Sequence, residues 1–155
     1  MKINWKVLII SLIVVYLVAF IGSLLTGNVK SDWYIAIKPN ITPPGFVFPI
    51  VWNILFFLIA LSFYFSYTKT KKIIEKADVI AVFAANFIFN IAWSFLFFYI
   101  KNPAASFIEI IVLWVSILLM IFVTRKYSKL ASYLLLPYLL WVTFASYLNY
   151  LIVFS

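Results

Sequence analysis

Two sets of side chains in this sequence have the types and spacing to act together. Asn86 and Asn90 stand four residues apart, and Trp93 and Phe97 continue the same helical face. Tyr138, Trp141, Ala145 and Asn149 share roughly one face of a second segment, and Trp52 sits near the end of a third. Amides and a phenol can orient polar edges, while tryptophan faces supply stacking area. Such a set suits a flat, apolar ligand with polar margins. The same amides also serve as glue between membrane helices. Trp and Tyr near a membrane surface are common anchors, a role that fits Trp5 and could cover Trp52. Glu109 is the one carboxylate inside an apolar segment, six residues past Pro103, or about 9 Å along a helix. An acid at that depth reads either as functional, for instance the coupling group of a proton-driven exporter, or as a bond to a neighbouring helix.

What is missing narrows the chemistry. The 155 residues contain no cysteine and no histidine, so no disulfide framework, thiolate zinc site or histidine-based triad can form. No paired carboxylates or metal cluster are visible either. No conventional catalytic constellation is expected, and no metal site.

The elements that position these groups follow from composition. Hydrophobic residues make up 67% of the chain and charged residues 10%, against about half and about a quarter in soluble domains. A membrane-spanning helix needs roughly 20 mostly apolar residues. Five stretches qualify: 7–25, 46–67, 79–100, 104–123 and 130–154. The expected fold is an all-α integral membrane protein, a single domain over 1–155 built as a five-helix bundle. The first stretch is too long for a signal-peptide core and no small-residue cleavage site follows it, so it is expected to be retained. Pro43 and Pro44 mark the start of the second span. Asn102 is the expected cap of the fourth. Pro137 should kink the fifth or delay its start, and the freed backbone should face protein or a cavity.

Charge placement gives orientation. Lys2, Lys6, Lys69, Lys71, Lys72, Lys76, Arg125, Lys126 and Lys129 fall on one side; Lys30, Lys38 and Lys101 fall on the other. The nine-to-three split places the N-terminus in the cytoplasm and the C-terminus outside. Most of the net charge of +8 then serves topology and attraction to anionic lipid headgroups, and no nucleic-acid partner is expected. Loop one, residues 26–45, is long and apolar, with Trp33, Tyr34, Ile35, Ile37 and Ile41. It is expected to fold over the mouth of the bundle as a lid. Ala81 and Ala85 form a small-residue pair on span three, a signal for close helix packing.

Three motifs in register resemble one family. Loop one reads Trp33-Tyr34-x-x-x-Lys38-Pro39-x-x-Thr42-Pro43-Pro44-Gly45, followed by Phe48 and Trp52. Span three reads Asn90-x-x-Trp93-Ser94-x-x-Phe97-Phe98, and span five Pro137-Tyr138-Leu139-x-Trp141-x-x-Phe144-Ala145-x-x-Leu148-Asn149-Tyr150. Over nearly the whole chain this resembles the TspO/MBR family, the tryptophan-rich sensory proteins and the mitochondrial translocator protein, or peripheral benzodiazepine receptor. The resemblance implies a five-helix receptor or sensor, usually dimeric, with loop one closing an interior pocket. It implies binding of protoporphyrin IX or haem and of drug-like aromatic ligands, with light-dependent porphyrin breakdown in some bacterial members. It implies a bacterial plasma-membrane location and no obligatory cofactor. Carried onto this chain, the ligand-binding residues are Trp33, Tyr34, Lys38, Trp52, Asn86, Asn90, Trp93, Tyr138, Trp141 and Ala145. Trp52 and Trp141 could act in photochemistry, and Lys30 and Lys38 could pair with propionates. Ala81 and Ala85 match a small-residue pair that is often a dimer contact. No basic residue follows Tyr150, so cholesterol recognition is not expected. The alternative function is a transporter of small amphipathic molecules with Glu109 as the coupling acid.

Overall fold

Residues 3–27 and 31–155 are described by the structure, a computed structural model. The helices are α1 (Trp5–Thr26), α2 (Asp32–Ile37), α3 (Val47–Lys69), α4 (Ile73–Ser94), α5 (Pro103–Tyr127), α6 (Lys129–Leu134) and α7 (Leu136–Phe154). A π-helical turn, Phe95–Tyr99, continues α4. Among the described residues, five helical segments are long and apolar enough to cross a membrane: α1, α3, α4 with its π turn, α5, and α6 joined to α7. The protein is an all-helical integral membrane protein.

Each span ends where local chemistry stops it. Asn4 caps α1, its side-chain oxygen accepting from the Val7 N–H at 3.2 Å. Gly27, at φ 57°, closes that helix with its N–H on the Ser23 carbonyl. Asn102 caps α5 as expected, accepting from the Ala105 N–H at 3.0 Å. Pro43 and Pro44 precede α3 rather than enter it; the proline in its first turn is Pro49. The helices also run further than the apolar runs. Loop two shrinks to Thr70, Lys71 and Lys72, because Glu75 accepts from the backbone N–H groups of Lys71 (2.7 Å) and Lys72 (3.1 Å) and caps α4 early. Only Ser128 separates α5 from α6. Charged residues end a hydropathy stretch, but Lys, Arg and Glu are good helix formers and do not end the helix.

α5 is the hub of the bundle, packed against α3, α4, α6 and α7. α1 lies against α3 and α4, α4 against α5, and α5 against α6 and α7; α3 closes the ring against α6. α1 buries only Ser11, Val15, Val18 and Gly22, a stripe at spacings of three and four. Its other faces carry exposed Ile13 and Leu17, which in a bilayer face lipid. The core is built from Leu55, Ile59, Phe83, Ile110, Leu113, Ile117, Met120, Leu135 and Tyr138. The Asn4 N–H donates to the Tyr64 hydroxyl at 3.1 Å, tying the start of α1 to the far part of α3. Lys6 therefore shares an end of the bundle with Lys69, Lys71, Lys72, Arg125, Lys126 and Lys129, and Lys38 and Lys101 lie towards the other. Lys2 and Lys30 lie outside the described residues.

The fifth span breaks at Leu135, and Pro137 is the second residue of α7. Proline has no N–H for the Tyr133 carbonyl. The Leu135 N–H turns to the Ser132 carbonyl at 3.3 Å, which frees the Ala131 carbonyl one residue earlier. Ser62 of α3 takes it up: its hydroxyl donates to Ala131 at 2.8 Å, with Ser62 and Ala131 both fully buried. The broken turn thus faces protein, as the low tolerance of a bilayer for bare backbone requires. Ser62→Ala should therefore lower the stability of the bundle by about 1 kcal/mol, read as a lower thermal unfolding midpoint in detergent micelles. An unchanged midpoint would mean the carbonyl has another partner.

Candidate functional site

The inner faces of α4, α5 and α7 carry a chain of directed hydrogen bonds. The Asn90 amide donates to the Tyr138 hydroxyl at 3.1 Å. That hydroxyl donates to the Asn86 side-chain carbonyl at 3.2 Å. The Asn86 amide donates to the Ser116 hydroxyl at 2.8 Å, and Ser116 donates to the Leu113 carbonyl at 2.6 Å. Asn86 and Tyr138 are 0% and 1% exposed, so each bond is made away from solvent and leaving one unmade is costly. A second set lies further along the same faces. The Trp93 indole N–H donates to the Asn149 side-chain carbonyl at 3.3 Å, and the Ser106 hydroxyl lies 3.0 Å from the same oxygen. The Asn149 amide donates to the Pro103 carbonyl at 2.9 Å. Asn86 and Asn90 thus act as glue between three helices.

Aromatic rings flank this polar line in two groups. On the α3–α7 side, Trp52 stacks on Phe56 of its own helix (5.3 Å, 28°) and meets Tyr138 edge to face at 6.1 Å. Trp141 meets Phe48 at 5.7 Å. On the α4 side, Trp93 stacks on Phe97 of its own chain segment (5.4 Å, 22°). Both stacked pairs are four residues apart, the spacing that brings helical side chains together. Phe97 lies in the π turn and is 3% exposed. A π turn adds a residue to one helical turn; this one ends with the Ile100 N–H on the Phe95 carbonyl at 2.9 Å.

Loop one supplies the cover. The Ser31 hydroxyl caps α2 by accepting from the Tyr34 N–H at 3.4 Å. α2 sets Trp33 against Phe97 (5.7 Å, edge to face) and Tyr34 against Phe97 and Phe98 (6.3 and 5.8 Å). The Lys101 ammonium lies 5.9 Å from the Trp33 ring centre. Burial against these rings pushes the Tyr34 phenol above its usual value of 10.0.

The expected site residues divide accordingly. Trp52, Asn86, Asn90, Trp93, Tyr138 and Trp141 meet along the inner faces, with half-buried Ala145 packed against the same core. Trp33 and Tyr34 reach the group through Phe97. Lys38 does not: it is exposed and lines a separate outer cleft of ≈ 450 Å³ with Leu151, Ile152 and Ser155. Trp141 also borders a lipid-side apolar groove of ≈ 430 Å³ between α3 and α7, with Ile54, Pro137 and Leu140. Ala81 is exposed and Ala85 half-buried on α4. Phe97, Phe98 and Lys101 are not among the ligand-binding residues that the resemblance implies. The i, i+4 spacing to Trp93 does place Phe97 on the inner face, but the π turn that aims it has no sequence signature.

The profile of the TspO/MBR family matches residues 10–154. This chain belongs to the TspO/MBR family. A tryptophan-rich protein TspO from Archaeoglobus fulgidus is 38% identical over 146 residues, 94% of each chain. Another, from Chlorobaculum tepidum, is 36% identical over 143 residues, 87% of this chain and 86% of its own. A tryptophan-rich sensory protein from Cereibacter sphaeroides is 28% identical over 151 residues, 97% of this chain and 91% of its own. The five-span, all-helical architecture fits that membership.

Two outcomes test the site as described. Tyr138→Phe removes the hydroxyl that joins Asn90 to Asn86 and leaves a buried amide N–H and a buried carbonyl unpaired. It should cost about 1–3 kcal/mol, seen as a lower unfolding midpoint in micelles, whereas Tyr147→Phe on the exposed face should not. The raised Tyr34 pKa has a definite sign. Its contribution to holding α2 down is present below the unfolded value of 10.0 and is lost as pH rises through the higher folded value. The difference in tyrosinate absorbance between the parent and Tyr34→Phe should titrate above 10.0.

Proposed function

We propose that the protein is a membrane receptor or sensor that holds a flat tetrapyrrole, protoporphyrin IX above all, among Trp52, Trp93 and Trp141. The observation that carries this reading is the pair of indole stacks, Trp52 on Phe56 and Trp93 on Phe97, flanking the Asn90–Tyr138 bond. Each stack is a planar apolar face of the kind a macrocycle uses, and the amides and phenol between them can orient its polar edges. Other drug-like aromatic molecules share that geometry. With no histidine or cysteine in the sequence, free-base porphyrin is favoured over tightly ligated haem. Light absorption would belong to the bound pigment, with Trp52 and Trp141 as neighbouring electron donors in any porphyrin breakdown. Lys101, over the Trp33 ring, stands closer to the aromatic group than Lys38, which lines the outer cleft, and is the better-placed outer cation for a propionate. The N-terminus is assigned to the cytoplasm, and the small Ala81–Ala85 face of α4 to a second copy of the chain.

Protoporphyrin IX titrated into purified protein in micelles should shift its Soret band. The Trp52→Phe/Trp141→Phe double variant should bind at least about fivefold more weakly, as expected for weakening two aromatic contacts of about 0.5–1.5 kcal/mol each. Unchanged binding would sink the stacking model, and illumination of the variant separates binding from photochemistry. One observation favours the transporter reading: among the described residues, neither Glu109 carboxylate oxygen has a hydrogen-bond partner. If it is right, proteoliposomes with a pH gradient show flux of the ligand that stops in Glu109→Gln.

A further inference from the structure

Among the described residues, two side chains bury polar atoms without a hydrogen-bond partner, the Thr42 hydroxyl in loop one and Glu109 within a span. Both Glu109 carboxylate oxygens are buried, and neither has a hydrogen-bond partner among the described residues. Glu109 lies on α5 one turn beyond Ser106, whose hydroxyl faces Asn149 of α7. The Asn86–Ser116 bond fixes the antiparallel register of α4 on α5. Carried two turns on, that register brings Trp93 level with Glu109. Glu109 therefore belongs at the junction of α4, α5 and α7, beside the stacked Trp93.

The donors around it are committed elsewhere. Trp93 donates to Asn149, Tyr138 to Asn86, Asn90 to Tyr138, and the Asn149 amide to Pro103. Satisfying Glu109 from within would break one of these bonds. An acid at membrane depth needs a proton-bearing partner or a cation, because a bare carboxylate away from water is heavily penalised. A ligand seated against Trp93 can provide that partner, and a nitrogen carrying hydrogen is the group an acid accepts from best.

We propose that Glu109 is the acceptor for a nitrogen-borne proton of the bound ligand, so that the aromatic site selects flat molecules carrying an N–H or a protonated nitrogen. The inference rests on the interior being a planar-ligand site, and it adds the specificity that stacking alone lacks. Stacking on indole is indifferent to the atoms at a ring's edge; a single buried acceptor is not. Removing the matching donor leaves the acceptor unpaired, which discriminates more strongly than a lost apolar contact does.

Carbazole and dibenzofuran test this directly, since they differ only by N–H against O in the same flat frame. Binding is measured by equilibrium dialysis of full-length protein in micelles against protein-free micelles, which removes partition into detergent. Carbazole should bind about tenfold or more tighter than dibenzofuran, the ratio expected for one hydrogen bond to an acid. In Glu109→Leu the two should agree within about twofold. 9-Aminoacridine, a planar cation at neutral pH, separates the two sources: a further gain over carbazole that disappears in Glu109→Gln assigns a charged donor, and no gain assigns a neutral one. Glu109→Leu removes an unpaired buried acid, so its unfolding midpoint should equal or exceed that of the parent. If Glu109→Leu does not fold, Glu109→Gln is read in its place, with the carbazole preference reduced. Equal binding of carbazole and dibenzofuran by the parent protein overturns the proposal, as does a preference that survives in Glu109→Leu. If protoporphyrin IX binds while the N–H preference is absent, only this inference falls. If neither protoporphyrin IX nor any of the three probes binds, the planar-ligand reading falls with it.

Discussion

In a bilayer, a polar group has no solvent to fall back on, and that constraint organises this molecule. Hydroxyls on the spans bond to carbonyls of their own helices, as Ser11 does to Val7 and Thr124 to Met120. The carbonyl freed by the break before Pro137 is taken up by Ser62 of a neighbouring helix. The amides on α4 are joined through Tyr138 and Ser116 into one line. Lipid tails do not drive helices together as water does, so these bonds and close packing hold the bundle. The same requirement makes Glu109 conspicuous.

The aromatic content follows from a division of labour that composition alone could not reveal. Trp5 is 63% exposed at the start of α1, where an interface anchor belongs. Phe20 and Phe122 face outward. Trp52, Trp93 and Trp141 instead turn inward and meet rings on other segments or on the next helical turn. Their edge-to-face and stacked contacts occupy the volume between α3, α4 and α7 with protein.

Much of this was legible in the residues. Hydropathy found all five spans, because runs of apolar residues long enough to cross a membrane have few other uses. The i, i+4 amides and the face of span five identified the inner line correctly. Helix ends were drawn at charged residues, whereas Glu75 and the basic residues of α5 continue their helices. The motif groups Lys38 with the site, and the structure shows it exposed on the outer cleft. The π turn was invisible, because an extra residue in one turn depends on what packs against it rather than on the local sequence.

The stacking of Trp93 on Phe97 means that the indole face proposed for a planar ligand is already covered by a ring of its own chain. A planar molecule binding there would compete with an intramolecular one that is always at hand and never diffuses away. Its apparent affinity would then be the intrinsic affinity scaled down by the fraction of time Phe97 stands aside. Whatever shifts the π turn and the α2 cover also shifts that fraction. The sensitivity of such a receptor would be set by the grip of its own phenylalanine as much as by the ligand.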